Sequence, residues 1–295
     1  MSTSDTEASD TAAPDQSVAA RRPSAWRAVL GTPGTLTAAG VIVVIVLIAL
    51  LAPIVWPNAD TINAGARLES PSGAHWFGTD ELGRDLLARM AHATQLTLLI
   101  ALGAMALSVV LGVVWGMVAA AFGSWVEEIL MRTADAIMAV PMILFALVFV
   151  AALGSNPIVL IVILGIIKSP LVARVTRSST MVELTSDYVR GLTVVGLGRS
   201  RILFREVLPN VFPVIAAVAT LNIASAIMVE ASLSFIGLGV QPPLASLGTL
   251  LKIGYSHLPG SWWYALFPAL AITVIIAAFN VIGKRLERYL DRRSA

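Results

Sequence analysis

The sequence predicts an all-α, polytopic membrane protein with six transmembrane helices and a further cytoplasmic helical segment between the fourth and fifth. Three observations lead there. Of 295 residues, 57% are hydrophobic and only 13% charged, a balance foreign to a water-soluble globule. Six apolar stretches approach the roughly 20 residues with which a helix crosses a hydrocarbon core about 30 Å thick. Lysine and arginine are divided very unequally between the loops that alternate across such a bundle. The chain has no cysteine, which excludes a disulfide framework, a thiolate metal site and a cysteine nucleophile.

Residues 1–34 begin small, polar and acidic and turn basic at Arg21, Arg22 and Arg27. Such a stretch buries too little apolar surface to fold and reads as a disordered tail. The first span, Leu36–Val55 within residues 35–56, is too long for a signal-peptide core and lacks a small-residue cleavage site, so it is expected to be retained. Residues 57–95 form a loop in which Gly78–Met90 reads as an interfacial helix. Thr79 would cap it, Asp80 and Glu81 would occupy the first turn, and Leu82, Leu86 and Met90 would share a face. The same stretch contains "GTDELGRD", with two glycines at the spacing of a phosphate loop. Arg84 and Asp85 replace the lysine and hydroxyl residue such a loop needs, and two acids would repel phosphate.

Residues 96–284 contain the other spans, Leu96–Phe122, Ala136–Leu153, Ile158–Val172, Val211–Ala231 and Tyr264–Ile282. Gly112 and Gly116 form a small-xxx-small pair of the kind that marks close helix packing. The fourth span is short and carries Lys168 near one end, where its side chain would snorkel to the interface. Residues 285–295 close the chain as a basic tail. Six spans place both termini on one side. Arg21, Arg22, Arg27, Arg132, Lys168, Arg174, Arg177, Arg190, Arg199, Arg201, Arg205, Lys284, Arg285, Arg288, Arg292 and Arg293 fall on that side, against Arg67, Arg84, Arg89 and Lys252 opposite. By the positive-inside rule both termini face the cytoplasm, in a multi-pass protein of the cytoplasmic membrane.

The segment "SDYVRGLTVVGLGRSRILFREVLPN", Ser186 to Asn210, then lies in the cytoplasm. Its arginines would suffice to orient the neighbouring spans, but orientation needs charge and not pattern. Val182, Val189, Leu192 and Val195 recur at helical spacing, as do Leu203 with Val207 and Phe204 with Leu208. Two short amphipathic helices are expected, broken around Gly196 and Gly198 and closed by Pro209. An apolar face in the cytosol calls for a protein partner. Within the spans, Asn222 and Glu230 lie eight residues apart on one face. These two and Asn280 read either as lining of a polar pathway or as interhelical bonding, with Glu230 near enough to the outer end to be hydrated. The Gly- and Pro-rich "SFIGLGVQPPLASLG" reads as an outer loop folding back toward that pathway. His75, His92 and His257 have no partner at metal-ligand spacing.

The cytoplasmic segment resembles the signature loop of binding-protein-dependent ABC importer permeases, in which a Glu-Ala-Ala triplet precedes a glycine and an apolar-Leu-Pro ending. Gly196 and Val207-Leu208-Pro209 match; Arg190-Gly191-Leu192 stands where the triplet would be. "HWFGTDELGRDLLARM", "MRTADAIMAVPMILFALV" and "EASLSFIGLGVQPPLASLGTLL" are similar to the C-type subunits of the dipeptide, oligopeptide and nickel branch, and "FNVIGKRLERYLDRR" matches more loosely. Leu247 replaces the usual tryptophan of a Ser-Trp-Gly triplet. The resemblance spans about Leu36 to Arg293.

The resemblance implies a permease subunit that performs no chemistry itself and imports a small solute, a di- or oligopeptide, by alternating access. It implies a second permease subunit, two cytoplasmic ATPase subunits carrying ATP and magnesium, an extracytoplasmic substrate-binding protein and the lipid membrane as partners, with no cofactor or metal on this chain and no nucleic acid. The segment would be a coupling helix seated on the ATPase. Ile202, Leu203 and Phe204 would anchor it, Arg190, Arg199, Arg201 and Arg205 would offer charge, Gly196 and Gly198 would make the turn, and Pro209 would root it in the fifth span. Arg84 and Asp85 would contact the docked binding protein, unless their stretch merely packs on the second span. The same machinery could carry nickel or a metal chelate. An ion-coupled secondary transporter or channel predicts an ionisable cluster near mid-bilayer, where only Asn222 and Asn280 are expected. A membrane scaffold would not need the Gly- and Pro-rich return loop.

Overall fold

The structure, a computed structural model, describes residues 33–294, with side chains through residue 289. The tail expected over residues 1–34, with Arg21, Arg22 and Arg27, lies outside the described residues up to residue 32, as do the side chains of Arg292 and Arg293. Nine helices and no β-sheet occur among the described residues. They are α1 Pro33–Val55, α2 Leu86–Phe122, α3 Ser124–Ala139, α4 Met142–Leu153, α5 Pro157–Leu184, α6 Asp187–Val194, α7 Arg199–Phe235, α8 Leu247–Ser256 and α9 Trp262–Ser294. A single 3-10 turn, Ala64–Ala66, lies in the loop before α2.

Helices α1, α2, α5, α7 and α9 are each long and apolar enough to cross a membrane. Helices α3 and α4 meet that criterion only together, and their axes are bent by 87°. The third span is therefore not the straight helix expected over Ala136–Leu153. Ala136–Ala139 end α3, Val140 is extended (φ −84°, ψ 127°), and α4 starts after Pro141. The proline ring disfavours helical backbone at the residue before it and removes a donor from the ladder. Helix α3 is tied to α5 by ion pairs of Asp135 with Arg174 and of Glu127 with Arg177.

Successive spans alternate in direction. One end of the bundle, where α1 and α7 start and α2, α5 and α9 finish, carries most of the arginines and is the basic end; residues 56–85 and 236–261 meet at the far end. Helix α9 continues to Ser294, so the tail expected from residue 285 prolongs the last span. Helix α5 runs well past Val172, which places Lys168 in mid-helix rather than at an end. Its side chain is buried and bonds to Ser225 on α7 (2.9 Å), so it does not snorkel as expected.

Helices α2 and α5 pack closely along their lengths, as the small pair Gly112 and Gly116 anticipates. A Cβ on Gly112 would come within 2.6 Å of Val172 Cβ, and one on Gly116 within 2.7 Å of Thr176 Cβ. Any side chain there would force the helices apart. Around this pair the apolar interior divides into three groups. One joins α1, α2, α7, α8 and α9; a second joins α2, α4, α5 and α7; the third, at the basic end, holds Val189 of α6 and Ile202, Leu203 and Val207 of α7 against Met105, Val113 and Met117.

At the far end, the helix expected over Gly78–Met90 is absent. Helix α2 starts only at Leu86, capped by Asp85, whose carboxylate accepts from Ala88 N–H (2.9 Å). Thr79 is buried in the loop, accepting from Glu69 N–H rather than capping a helix. Asp80 explains the difference. Its fully buried carboxylate accepts from the N–H groups of Leu82 and Arg84 (2.9 Å each) and from the side chains of Arg84 (2.6 Å) and Arg89 (2.8 Å), which winds the backbone around one charge. Such local bonds compete with helix formation.

Candidate functional site

At the basic end α5, α6 and α7 form a projecting hairpin. Helix α6 begins after Ser186 and ends in a Schellman turn, with Leu197 N–H donating to Leu192 C=O (3.1 Å) and Gly196 N–H to Thr193 C=O (3.0 Å). The turn requires φ > 0 at its last residue, and Gly196 adopts +84° with open space where a Cβ would stand. Glycine is needed for conformation, not for room. Gly198 has φ −63° and ψ 141° with nothing nearby, so the turn does not depend on it as expected. Val189 plugs α6 into the interior. Tyr188 donates to Glu183 (2.7 Å), and Asn210 Nδ2 donates to both Glu183 (3.1 Å) and the Tyr188 oxygen (3.0 Å), clasping α6 between α5 and α7. Burial and then the Glu183 carboxylate raise the Tyr188 phenol above its usual range.

The second short helix expected after Gly198 is instead the first turns of α7, running through a wide π-type stretch, Ile202–Val207, into the span. Pro209 does not close a helix; it sits within this one, and the wide turn gives its ring room that a regular α-helix denies the carbonyl four residues back. Ile202 and Leu203, expected to anchor a partner, face inward at 5% and 6% exposure. Their apolar side chains complete this chain's own core. Phe204 is about half exposed, as are the more C-terminal Phe212 and, on α6, Tyr188. Val194 and Val195 are the most exposed, at 87% and 77%, and with Val182 they make the apolar crest. Arg199, expected to reach a partner, donates to Ala121 C=O at the end of α2 and lies over the Phe122 ring (5.9 Å), capping a helix C-terminus. Arg190, Arg201 and Arg205 remain exposed, Arg190 only 3.7 Å from Asp187.

The hairpin, rooted in two spans, thus presents exposed Val194 and Val195 together with exposed Arg190, Arg201 and Arg205. Residues 112–295 match the family described as binding-protein-dependent transport system inner membrane component. The chain belongs to this family. A putative peptide transport system permease protein of Brucella suis is 39% identical over 255 residues, 85% of each chain. The di/tripeptide transport system permease protein of Pseudomonas aeruginosa is 35% identical over 273 residues, 90% of each, and the oligopeptide transport system permease protein of Bacillus subtilis 34% over 255 residues, 85% of this chain and 83% of that one. A structure of the MetNI methionine ABC transporter, inward facing, shares the fold, with a TM-score of 0.54 and 15% identity over 68% of this chain and 95% of its own. The protein is a multi-pass inner-membrane permease.

The permease's other expected sites are placed differently from the hairpin of α6. Arg84 is 11% exposed and engaged with Asp80 and Glu81. Asp85 caps α2 and pairs with His75 (2.8 Å). Both are therefore parts of the loop's scaffold, and the exposed crest of the far end carries Ile62 and Trp76 instead. Glu230 is not hydrated at an outer end but wholly buried, accepting from Ser234 (2.7 Å), which in turn accepts from Ser246 (3.1 Å). Leu247 N–H donates to Thr97 (3.1 Å). This chain of bonds pins α8 between α2, α7 and α9, so the Gly- and Pro-rich loop does fold back into the bundle. Asn222 bonds to Val218 C=O (2.8 Å) and is half buried, as is Asn280. Among the described residues no three of His, Asp and Glu converge as a metal site would require. Sequence reading missed Glu183, Tyr188 and Asn210, which lie up to 27 residues apart. Only the Asn after Leu-Pro, a polar residue entering a span, hinted at them.

Proposed function

We propose that this permease is the C-type subunit of an ATP-driven importer of di- and oligopeptides. It pairs with a second permease, two ATPase subunits that hold ATP and magnesium, and a substrate-binding protein, with its basic end in the cytoplasm. The observation that carries this reading is the hairpin of α6: an apolar crest at Val194 and Val195, stiffened by the Gly196 turn and clasped by Glu183, Tyr188 and Asn210 to two spans at once. Movement of a partner gripping that crest passes to α5 and α7 together, because neither can follow α6 alone. ATP-driven closure of the ATPase pair thereby rocks the spans and exchanges access between the two sides. The names of the relatives support peptide as cargo.

Because the chain lacks cysteine, Val194→Cys introduces a unique thiol. In the co-expressed complex a short bifunctional crosslinker is expected to join it to an ATPase subunit, and proteoliposomes with loaded binding protein are expected to accumulate tripeptide on ATP addition. Crosslinks that never capture a nucleotide-binding chain, or uptake of nickel without peptide, would overturn the assignment.

A further inference from the structure

Lys168 is the one lysine in the middle of a described span. It lies eleven residues into α5 from the far end, about 16 Å deep at helical rise, and Ser225 lies ten residues from the far end of α7, about 15 Å deep. Both sit near the centre of a hydrocarbon core about 30 Å thick. Lys168 is 4% exposed, and its ammonium donates to Ser225 Oγ at 2.9 Å and forms no ion pair with a carboxylate among the described residues. A cation in such a place needs a counter-charge, and none of the described residues supplies one.

Ser225 shows where the counter-charge enters. Of the four hydroxyl residues on α7 after Pro209, Thr220, Ser232 and Ser234 donate to Ala216 C=O, Met228 C=O and Glu230. Ser225 accepts from Lys168 and donates to nothing among the described residues. Its proton is thus uncommitted, and it belongs to the least buried stripe of α7, Val218, Asn222, Ser225, Met228, Ser232 and Phe235, spaced three and four residues apart. A partly buried hydroxyl backed by an ammonium is a charge-assisted donor for an anion.

We propose that Lys168 and Ser225 form a mid-membrane subsite for a carboxylate of the transported peptide, Ser225 donating to it and Lys168 balancing its charge. The proposal rests on the peptide-importer reading. A free α-carboxylate is the one anionic group that every unmodified peptide carries whatever its side chains, so a fixed cation in the path recognises the class without restricting sequence.

The test uses the whole complex in proteoliposomes, with binding protein preloaded to equal occupancy with a tripeptide or its C-terminal amide, and single-turnover uptake measured on ATP addition. Wild type is expected to take up the free acid about tenfold faster, the worth of one charge-assisted hydrogen bond. Lys168→Met and the sterically mild Ser225→Ala are expected to bring that ratio close to one, and Lys168→Arg to retain most of it. A ratio that neither variant changes would overturn the subsite while leaving the importer intact. So would an acidic residue of the second permease whose removal rescues Lys168→Met, since the counter-ion would then be the partner's. Wild-type complex that takes up neither peptide would overturn the importer reading, and the subsite with it.

Discussion

Asp80 and Glu230 are both acids with no exposed surface, yet they do different work. Glu230 is held by neutral hydroxyls and fastens one helix. Asp80 organises a loop, and burial alone would raise its carboxyl, but donation from Arg89, then from the backbone of Arg84 and Leu82, and the charge of Arg84 together hold it below its usual value. Asp80→Asn leaves Arg84 and Arg89 without their shared counter-charge, and breaking a buried pair in this way costs about 3–5 kcal/mol. The expected result is faster hydrogen exchange across residues 57–85 with the spans unaffected. Because the folded value is depressed, the stabilisation by ionised Asp80 is fully present above the unfolded value of about 4 and is lost as pH falls through the lower folded value. The gap in protection between wild type and Asp80→Asn should therefore be constant from pH 7 to about 4 and close below it. A gap that already narrows near pH 6 would assign the loop's stability to a group other than Asp80.

The turn after α6 holds two glycines, Gly196 and Gly198, that look alike in sequence and differ in structure. Gly196 sits at φ +84°, where an L side chain costs about 1–2 kcal/mol, whereas Gly198 is in ordinary extended backbone. Gly196→Ala is expected to loosen amides 189–197 in hydrogen exchange and to lower peptide-stimulated ATP hydrolysis several-fold with insertion and assembly intact. Gly198→Ala should change neither. Equal effects from both would mean that chain flexibility, not the turn, matters. Periodicity made the position of the hairpin legible, because Val189 and Leu192 must face the interior whatever follows. It could not tell that Ile202 and Leu203 face the interior too, since an apolar pair at a helix start satisfies a partner's groove and the chain's own core equally well. The bend at Pro141 was legible in principle, but an apolar stretch of span length outweighs one proline when only hydropathy is weighed.

On the scale of the whole molecule, the order of the apolar segments was legible, and five of the six expected spans are single helices long enough to cross, because hydrocarbon thickness leaves helices few choices of length. Depth was less so. Lys168 looked terminal while the fourth span seemed to end at Val172, and it moved to mid-helix once α5 proved to continue to Leu184. Placement of the far-end loop also escaped, because its contacts join distant residues, as between Glu81 and Tyr264. Orientation is a property of the entire chain, proposed from the arginines gathered at the basic end, and it makes a demand on two surfaces together. Trp76 at the far end and Val194 on α6 are 71% and 87% exposed, and the chain is free of cysteine. Introduced singly, Trp76→Cys should react with a membrane-impermeant maleimide in cells whose inner membrane is intact, whereas Val194→Cys should react only after that membrane is permeabilised. Both substitutions replace exposed side chains, so insertion should proceed normally. The reverse pattern would place α6 outside, beyond reach of any ATPase, while labelling of both in intact cells would mean that the spans do not separate these loops.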